Sequence, residues 1–183
     1  MPAVSRRIID QQQLSITLDR LCFELIENHN DFENSALIGI QPRGIYLARL
    51  IKERLQHFIP GIKLPYGELD ISFFRDDFRR RDMIVPSTTN VDFLVEGKRV
   101  ILIDDVFFTG RTIRAAMDAL LAFGRPATVE LMVLIHRKYS AQLPIAPDYT
   151  GVAIDTISSQ KVKVHLQQPD GEDGVWLISD TEA

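Results

Sequence analysis

Apolar positions along this chain follow two alternating periods. Leu14, Leu18, Leu21, Cys22, Leu25 and Ile26 recur at three- and four-residue steps, which predicts a helix over residues 14–28 with one buried stripe. Residues 36–40 form a short apolar run that reads as a strand. Helical spacing returns over residues 44–58, with Leu47, Ala48, Ile51, Leu55 and Phe58 on one face. Residues 66–74 read as the next strand. A polar stretch follows over residues 75–98, with Arg79, Arg80, Arg81 and Pro86 inside it; at that length within a compact domain it predicts a lid or a hairpin excursion. Val100, Ile101, Leu102 and Ile103 are an unbroken apolar run, the mark of a strand buried on both faces. Residues 112–123 carry Ile113, Ala116, Met117 and Leu120 at helical spacing, and Phe123-Gly124-Arg125-Pro126 stops that helix. Residues 128–135 predict another strand, Val162 and Val164 alternate, and residues 175–178 close the pattern as a small hood or sheet edge. Strands and helices in turn predict an α/β fold, with a mostly parallel central sheet flanked by helices, carried by one domain over residues 1–183.

Composition narrows this picture modestly. At 183 residues and 45% apolar content, one domain with a sizeable core is expected. The single cysteine, Cys22, lies on the first helix's apolar stripe and reads as core filler, neither nucleophile nor disulfide partner, which suits the cytosol. No apolar run approaches a membrane span, and Arg6-Arg7 is not followed by a stretch of signal-peptide length, so a soluble cytoplasmic protein without a membrane partner is expected. With 25 acidic against 21 basic side chains the net charge is −4, so no global positive field draws the chain to DNA or RNA; any RNA site has to be local.

The candidate chemistry lies at the end of the unbroken strand. Asp104 and Asp105 come first, then Val106, Phe107, Phe108, Thr109, Gly110, Arg111 and Thr112 lead into a helix. Ligands of open α/β sheets bind at strand carboxyl ends, and the free N–H groups that open a helix favour phosphate. Thr109, Arg111 and Thr112 add side-chain donors, whereas two carboxylates repel phosphate and instead accept hydrogen bonds from vicinal sugar hydroxyls. A turn cap, or a Mg²⁺-holding pair of the nucleotide-hydrolase type, are the other readings of Asp104-Asp105. A nucleotide hydrolase needs its own glycine-rich phosphate loop, and neither G-x-x-x-x-G-K-[ST] nor G-x-G-x-x-G occurs. A second loop, Gln41-Pro42-Arg43-Gly44, follows the first apolar strand; Gly44 permits close backbone approach to a ligand and Arg43 offers a forked donor, unless this is an ordinary turn with a solvated arginine. Among four histidines, His29 and His57 end helices, where an imidazolium suits the dipole, and His165 lies in an alternating strand. His136, at the ligand end of its strand, either touches a ligand with Arg137 or caps the strand.

Apolar strand, Asp-Asp, three residues, Thr-Gly and a hydroxyl residue in this order resemble the phosphoribosyl-pyrophosphate loop of type I phosphoribosyltransferases. Ile38-Gly39-Ile40-Gln41-Pro42-Arg43-Gly44-Ile45-Tyr46-Leu47-Ala48, Gly67-Glu68-Leu69-Asp70-Ile71, Arg75-Asp76-Asp77, Leu143-Pro144-Ile145 and Asp148-Tyr149 extend the likeness over about residues 14–166. Together they resemble the pyrimidine-operon regulators that double as uracil phosphoribosyltransferases. The resemblance implies the type I fold with its hood, phosphoribosyl pyrophosphate and a nucleobase as substrates, Mg²⁺ as cofactor, and a homo-oligomer. It implies that Asp104 and Asp105 hold the ribose hydroxyls and, through water, Mg²⁺; that residues Val106 to Thr112 wrap the 5′-phosphate; that Arg43 and Gly44 meet pyrophosphate; that Arg75 closes a lid and completes the catalytic set with the two aspartates; and that Val106, His136 and Arg137 meet the base. Uracil is the leading base, with a purine, or a nucleotide-sensing RNA-binding regulator, as alternatives.

Two departures from the family pattern matter. Asp19, Phe23, Ala141, Ala146 and Val152 stand where RNA-binding members carry polar or basic groups, so attenuator-type RNA binding is expected to be weak or absent, because phosphate contacts dominate such affinity. His136-Arg137-Lys138 stands where the family commonly has Asp-Arg-Gly, which alters the side chains around the base.

Overall fold

In the computed structural model, which describes residues 4–76, 87–157 and 159–179, the chain starts as a strand, β1 (Val4–Ile9), and turns into helix α1 (Gln11–His29). α1 begins a turn before its apolar stripe. Asp10 accepts the Gln13 N–H at 2.8 Å while the Gln13 side chain accepts the Asp10 N–H at 3.0 Å, a reciprocal cap on an otherwise polar first turn. β2 (Ser35–Ile40), α2 (Gly44–Phe58) and β3 (Tyr66–Leu69) follow, then β4 (Arg99–Phe107), α3 (Arg111–Leu120), β5 (Thr128–Arg137) and β6 (Tyr149–Ile154). β7 (Gln160–His165), a single helical turn α4 (Gln167–Asp170) and β8 (Gly174–Ser179) are the last elements among the described residues.

β3, β2, β4, β5 and β6 form the parallel sheet, in that order. One face carries Leu37, Ile101 and Ile103 against α1 and α2, through Leu14, Leu21, Cys22, Leu47, Ile51 and Leu55. The other carries Ile38, Ile40, Val100 and Leu102 against Ile113, Ala116 and Leu120 of α3. Covered on both faces, β4 can be apolar at every core position, and burying each such side chain is worth roughly 1.5–3 kcal/mol. The fold class expected from the alternating periods is the one observed. β1, β8 and β7 form a separate antiparallel hood, and among the described residues no helix is long and apolar enough to cross a membrane.

Several elements differ from the sequence expectation. The strand expected over residues 66–74 ends at Leu69, because Asp70 Oδ1 accepts the Ser72 N–H at 2.9 Å and its hydroxyl at 2.6 Å, folding Ser72–Phe74 into a 3-10 turn. The helix expected to reach residue 123 ends at Leu120 and tightens into a 3-10 turn over Leu121–Phe123. β5 runs two residues beyond its expected end, so His136 and Arg137 belong to the strand. β1 and β6 carried no clear period. Part of the long polar segment is fixed where Asn90 and Glu68 exchange backbone hydrogen bonds at 2.8 Å; Asp77, Arg79, Arg80, Arg81 and Pro86 lie outside the described residues. His29 is no solvated helix-end cation. It is buried, with Nδ1 2.7 Å from Ser35 Oγ and Nε2 3.0 Å from Glu130 Oε2, and burial pushes its pKa down.

Candidate active site

Sheet order determines where a ligand goes. From β2 the chain crosses to β3 on one side, while β4, the neighbour on the other side, leads on to β5 and β6. The strand order therefore reverses between β2 and β4, and a crevice opens beyond their carboxyl ends. The loops leaving these two strands are the two singled out by residue chemistry.

At the end of β4, Asp104 is nearly buried and accepts the Asp105 backbone N–H at 3.0 Å. Burial first, and the neighbouring carboxylate second, push the Asp104 pKa well above the usual aspartate value, while the charge of Arg75 opposes this. Burial also raises Asp105, against the Arg43 guanidinium, whose Nε lies 3.5 Å from Asp105 Oδ2. The two acids are thus costly to ionise and each has an arginine beside it. The site favours partners that stabilise carboxylates: hydroxyl donors or a hard cation.

Beyond the acids, Gly110 has φ +86°, a left-handed conformation that glycine supplies freely, and it turns the chain into α3. The first backbone N–H groups of a helix have no intrahelical partner; here the Arg111 N–H reaches Thr109 Oγ1 at a long 3.4 Å. A cleft of about 560 Å³ opens there, lined by Arg75, Asp76 and residues 106–113. The structure thus brings Arg75, Val106, Phe107, Phe108, Thr109, Gly110, Arg111 and Thr112 to one cavity. Phe107 is buried in the α3 side of the core and offers only backbone, whereas Phe108 is partly exposed. The Arg111 side chain is engaged by Gln142 Oε1 at 2.9 Å and by Asp76.

The loop after β2 is also tied into the fold by contacts of its own. A Cβ on Gly44 would stand 2.3 Å from the Ile103 carbonyl oxygen and 3.0 Å from Asp104 Cα, so this glycine is required by the approach of α2 to β4, independently of any ligand. The Arg43 side chain turns to the hood, where Asp170 and the Val164 carbonyl receive it. Arg43 holds the Asp170 pKa down to about 2. Asp170 was not foreseen; Gln167-Gln168-Pro169-Asp170 has no periodicity that pairs it with a loop far away in sequence.

On the β5 side, the His136 ring stands edge-on to Phe107 at 5.3 Å between centroids, and burial and the Lys138 charge lower its pKa. Arg137 is buried. Its Nε donates to Thr156 Oγ1 at 2.9 Å, an Nη donates to the Ile157 carbonyl at 3.3 Å, and the guanidinium lies 4.0 Å over the Phe108 ring. Ser140 Oγ lies 2.8 Å from the Phe108 carbonyl oxygen and 2.7 Å from that of Arg137, so its single hydroxyl proton is given to one or the other and links the two loop ends.

A parallel sheet with an acid pair and a helix start at its switch point defines the class: the phosphoribosyl transferase domain family matches residues 5–169, and the chain belongs to it, as a type I phosphoribosyltransferase. Among its relatives, the Bifunctional protein PyrR of Microcystis aeruginosa is 44% identical over 171 residues, 93% of this chain and 96% of that one. Its namesake from Streptococcus pyogenes is 45% identical over 177 residues, 97% and 99% of the two chains, and the Pyrimidine operon regulatory protein of Lactococcus lactis subsp. lactis is 42% identical over 172 residues, 94% and 96%. Of solved structures, the HGPRT-ase from Leishmania tarentolae in complex with GMP superimposes with a TM-score of 0.71 at 14% identity over 97% of each chain, a likeness of fold.

Proposed function

We propose that this phosphoribosyltransferase joins uracil to phosphoribosyl pyrophosphate, giving UMP and pyrophosphate, and that it binds attenuator-type RNA weakly or not at all. The observation that carries the reading is the acid pair Asp104-Asp105 lying between the Arg43 guanidinium and the loop that opens α3. Asp104 and Asp105 accept the ribose hydroxyls. Backbone N–H groups of residues 106–112, with the side chains of Thr109 and Thr112, hold the 5′-phosphate. Arg43 and the backbone at Gly44 face pyrophosphate, Arg75 neutralises it as it leaves, and Val106, His136 and Arg137 border the base. The base nitrogen bonds to the anomeric carbon as the bond from that carbon to pyrophosphate breaks, and the N–H proton of the base passes to the departing pyrophosphate or to water. Positive charge on the ribose in the transition state is stabilised by the carboxylates, and negative charge on the leaving group by the arginines.

Two adjacent carboxylates suit Mg²⁺, which keeps most of its waters and takes one or two protein oxygens; among the described residues no cluster of three or more metal-ligating side chains forms a cage for it. Asp104 and Asp105 would hold the ion, which would supply charge neutralisation at the pyrophosphate oxygens.

The word pyrimidine in a relative's name supports uracil. Weak RNA binding is supported by the engagement of local charges: Asp19 pairs with Arg54 at 3.4 Å, and Arg20 is occupied by Glu24 and the carbonyls of Thr150 and Gly151. Pyrophosphate release, measured with phosphoribosyl pyrophosphate, Mg²⁺ and a panel of uracil, hypoxanthine, guanine, adenine and xanthine, tests the assignment. Turnover with uracil alone is expected. Turnover with a purine keeps the transfer and overturns the base, and silence with every base favours a nucleotide-sensing regulator.

A further inference from the structure

Asp170 lies on α4 in the hood, outside the cleft. Its carboxylate takes both terminal nitrogens of Arg43, Nη1 to Oδ1 at 3.1 Å and Nη2 to Oδ2 at 2.7 Å, while Oδ2 also accepts the Leu166 backbone N–H at 3.0 Å. The same Nη2 donates to the Val164 carbonyl on β7. Only the Nε edge of the guanidinium turns to the acid pair, 3.5 Å from Asp105 Oδ2. A planar fork gripped along one edge has a single orientation, which an ammonium would not have.

Without that grip, a flexible arginine beside a partly buried carboxylate would close on it as a direct hydrogen-bonded pair. Asp105 would then be occupied by a side chain, and the cation would be withdrawn from the mouth of the loop after β2. The separations in the structure show the opposite balance, with the tight contact on Asp170 and the loose one on Asp105.

We propose that Asp170 is a positioning residue for phosphoribosyl transfer: from the hood it fixes Arg43 so that the guanidinium stands at the pyrophosphate end of the site without closing on Asp105. The inference rests on the reading of the Gln41 to Gly44 loop as the pyrophosphate loop. It makes the hood a working part of the substrate site, since a carboxylate on α4 sets the orientation of a cation on a loop of the parallel sheet.

The test compares calorimetric dissociation constants for phosphoribosyl pyrophosphate with Mg²⁺ and for ribose 5-phosphate, which lacks the pyrophosphate, in the wild type, Arg43→Gln, Asp170→Asn and Asp170→Glu. Loss of one charge-assisted contact is expected to weaken phosphoribosyl pyrophosphate about tenfold in Asp170→Asn, about 1.4 kcal/mol, with ribose 5-phosphate changed less than about twofold and with partial recovery in Asp170→Glu. Arg43→Gln is expected to show at least the same selective loss. If Arg43→Gln shows it and Asp170→Asn does not, the positioning role is overturned and the pyrophosphate reading survives. If Arg43→Gln leaves both constants unchanged, the reading of the loop falls and the role falls with it. Equal weakening of both ligands in Asp170→Asn, without recovery in Asp170→Glu, reduces Asp170 to a structural ion pair and also overturns the proposal.

Discussion

Gly44 at the start of α2 and Ile103 in β4 are in backbone contact: a Cβ on Gly44 would lie 2.3 Å from the Ile103 carbonyl oxygen. Neither partner can yield by turning a side chain. Gly44→Ala must therefore lift the helix start from the strand, and overpacking of this kind costs about 1–3 kcal/mol. Because the next residue of β4 is Asp104, the same displacement moves the acid pair. A urea midpoint lowered accordingly, with a loss of kcat/KM larger than the stability change explains, is the expected result; a variant as stable and active as the wild type would show that the contact is relaxed elsewhere.

A second prediction concerns pH and the network beneath the sheet's amino-terminal end. His29 faces Ser35, Glu130 and Phe32, Tyr149 donates to Glu130 at 2.7 Å, and Arg99 donates to it at 2.9 Å. Burial lowers the His29 pKa below its ordinary 6.5, so the unfolded chain binds the proton first and stability declines as pH falls below that value. Glu130 is also lowered, by hydrogen bonds from Tyr149 and Arg99 that outweigh its burial; its stabilisation is present above its ordinary 4.5 and is lost as pH falls through the folded value. Denaturation midpoints should drop between pH 7.5 and 5.5 in the wild type. His29→Gln, which cannot titrate, should flatten that drop, and an unchanged slope would remove His29 from the account.

This network also marks a limit of sequence reading. His29 closes a helical pattern and Glu130 lies mid-strand; nothing in their spacing, 101 positions apart, foretells the bond between them. The parallel sheet was legible because a strand covered on both faces must be apolar throughout, as Val100 to Ile103 are, and the loop that lines the cleft was legible as a unit because its candidate chemistry is contiguous from Asp104 to Thr112. β1 was not, since Ser5, Arg6 and Arg7 are exposed and the strand is held by pairing with β8 at the far end of the chain. Asp170 escaped for the same reason: its partner Arg43 lies 127 residues away. Local chemistry is written in order, whereas contacts made by folding back are not.

Cys22 supplies a direct check on the core. It is fully buried on the α1 stripe, and burial pushes its thiol up to about 12. Native protein at pH 8 should therefore resist a thiol-specific disulfide reagent, and denaturant should release one reactive thiol per chain. Rapid native labelling would show that α1 opens from α2 far more readily than its packing implies.

The acid pair should show a conflict between stability and activity. Asp104 is nearly buried beside a second carboxylate, and ionising it in the folded state is opposed by burial and by Asp105. Asp104→Asn keeps an oxygen to accept the Asp105 N–H but removes one charge, so about 1–2 kcal/mol of added stability is expected at neutral pH, roughly 2–8 °C in Tm. Its sign follows from the raised folded pKa: the wild type is relatively most stable below the ordinary aspartate value of 3.8 and loses that advantage as pH rises through the folded value, so the gap between variant and wild type should widen with pH. Catalysis should move the other way. On the proposed mechanism, in which this carboxylate accepts ribose hydroxyls and balances positive charge in the transition state, its loss should cost about 100-fold or more in kcat/KM, and Asp105→Asn should abolish turnover. Full activity in either variant would remove the sugar contact from the mechanism, and a stability loss in Asp104→Asn would mean that the charged pair is held by stronger partners than Arg43 and Arg75.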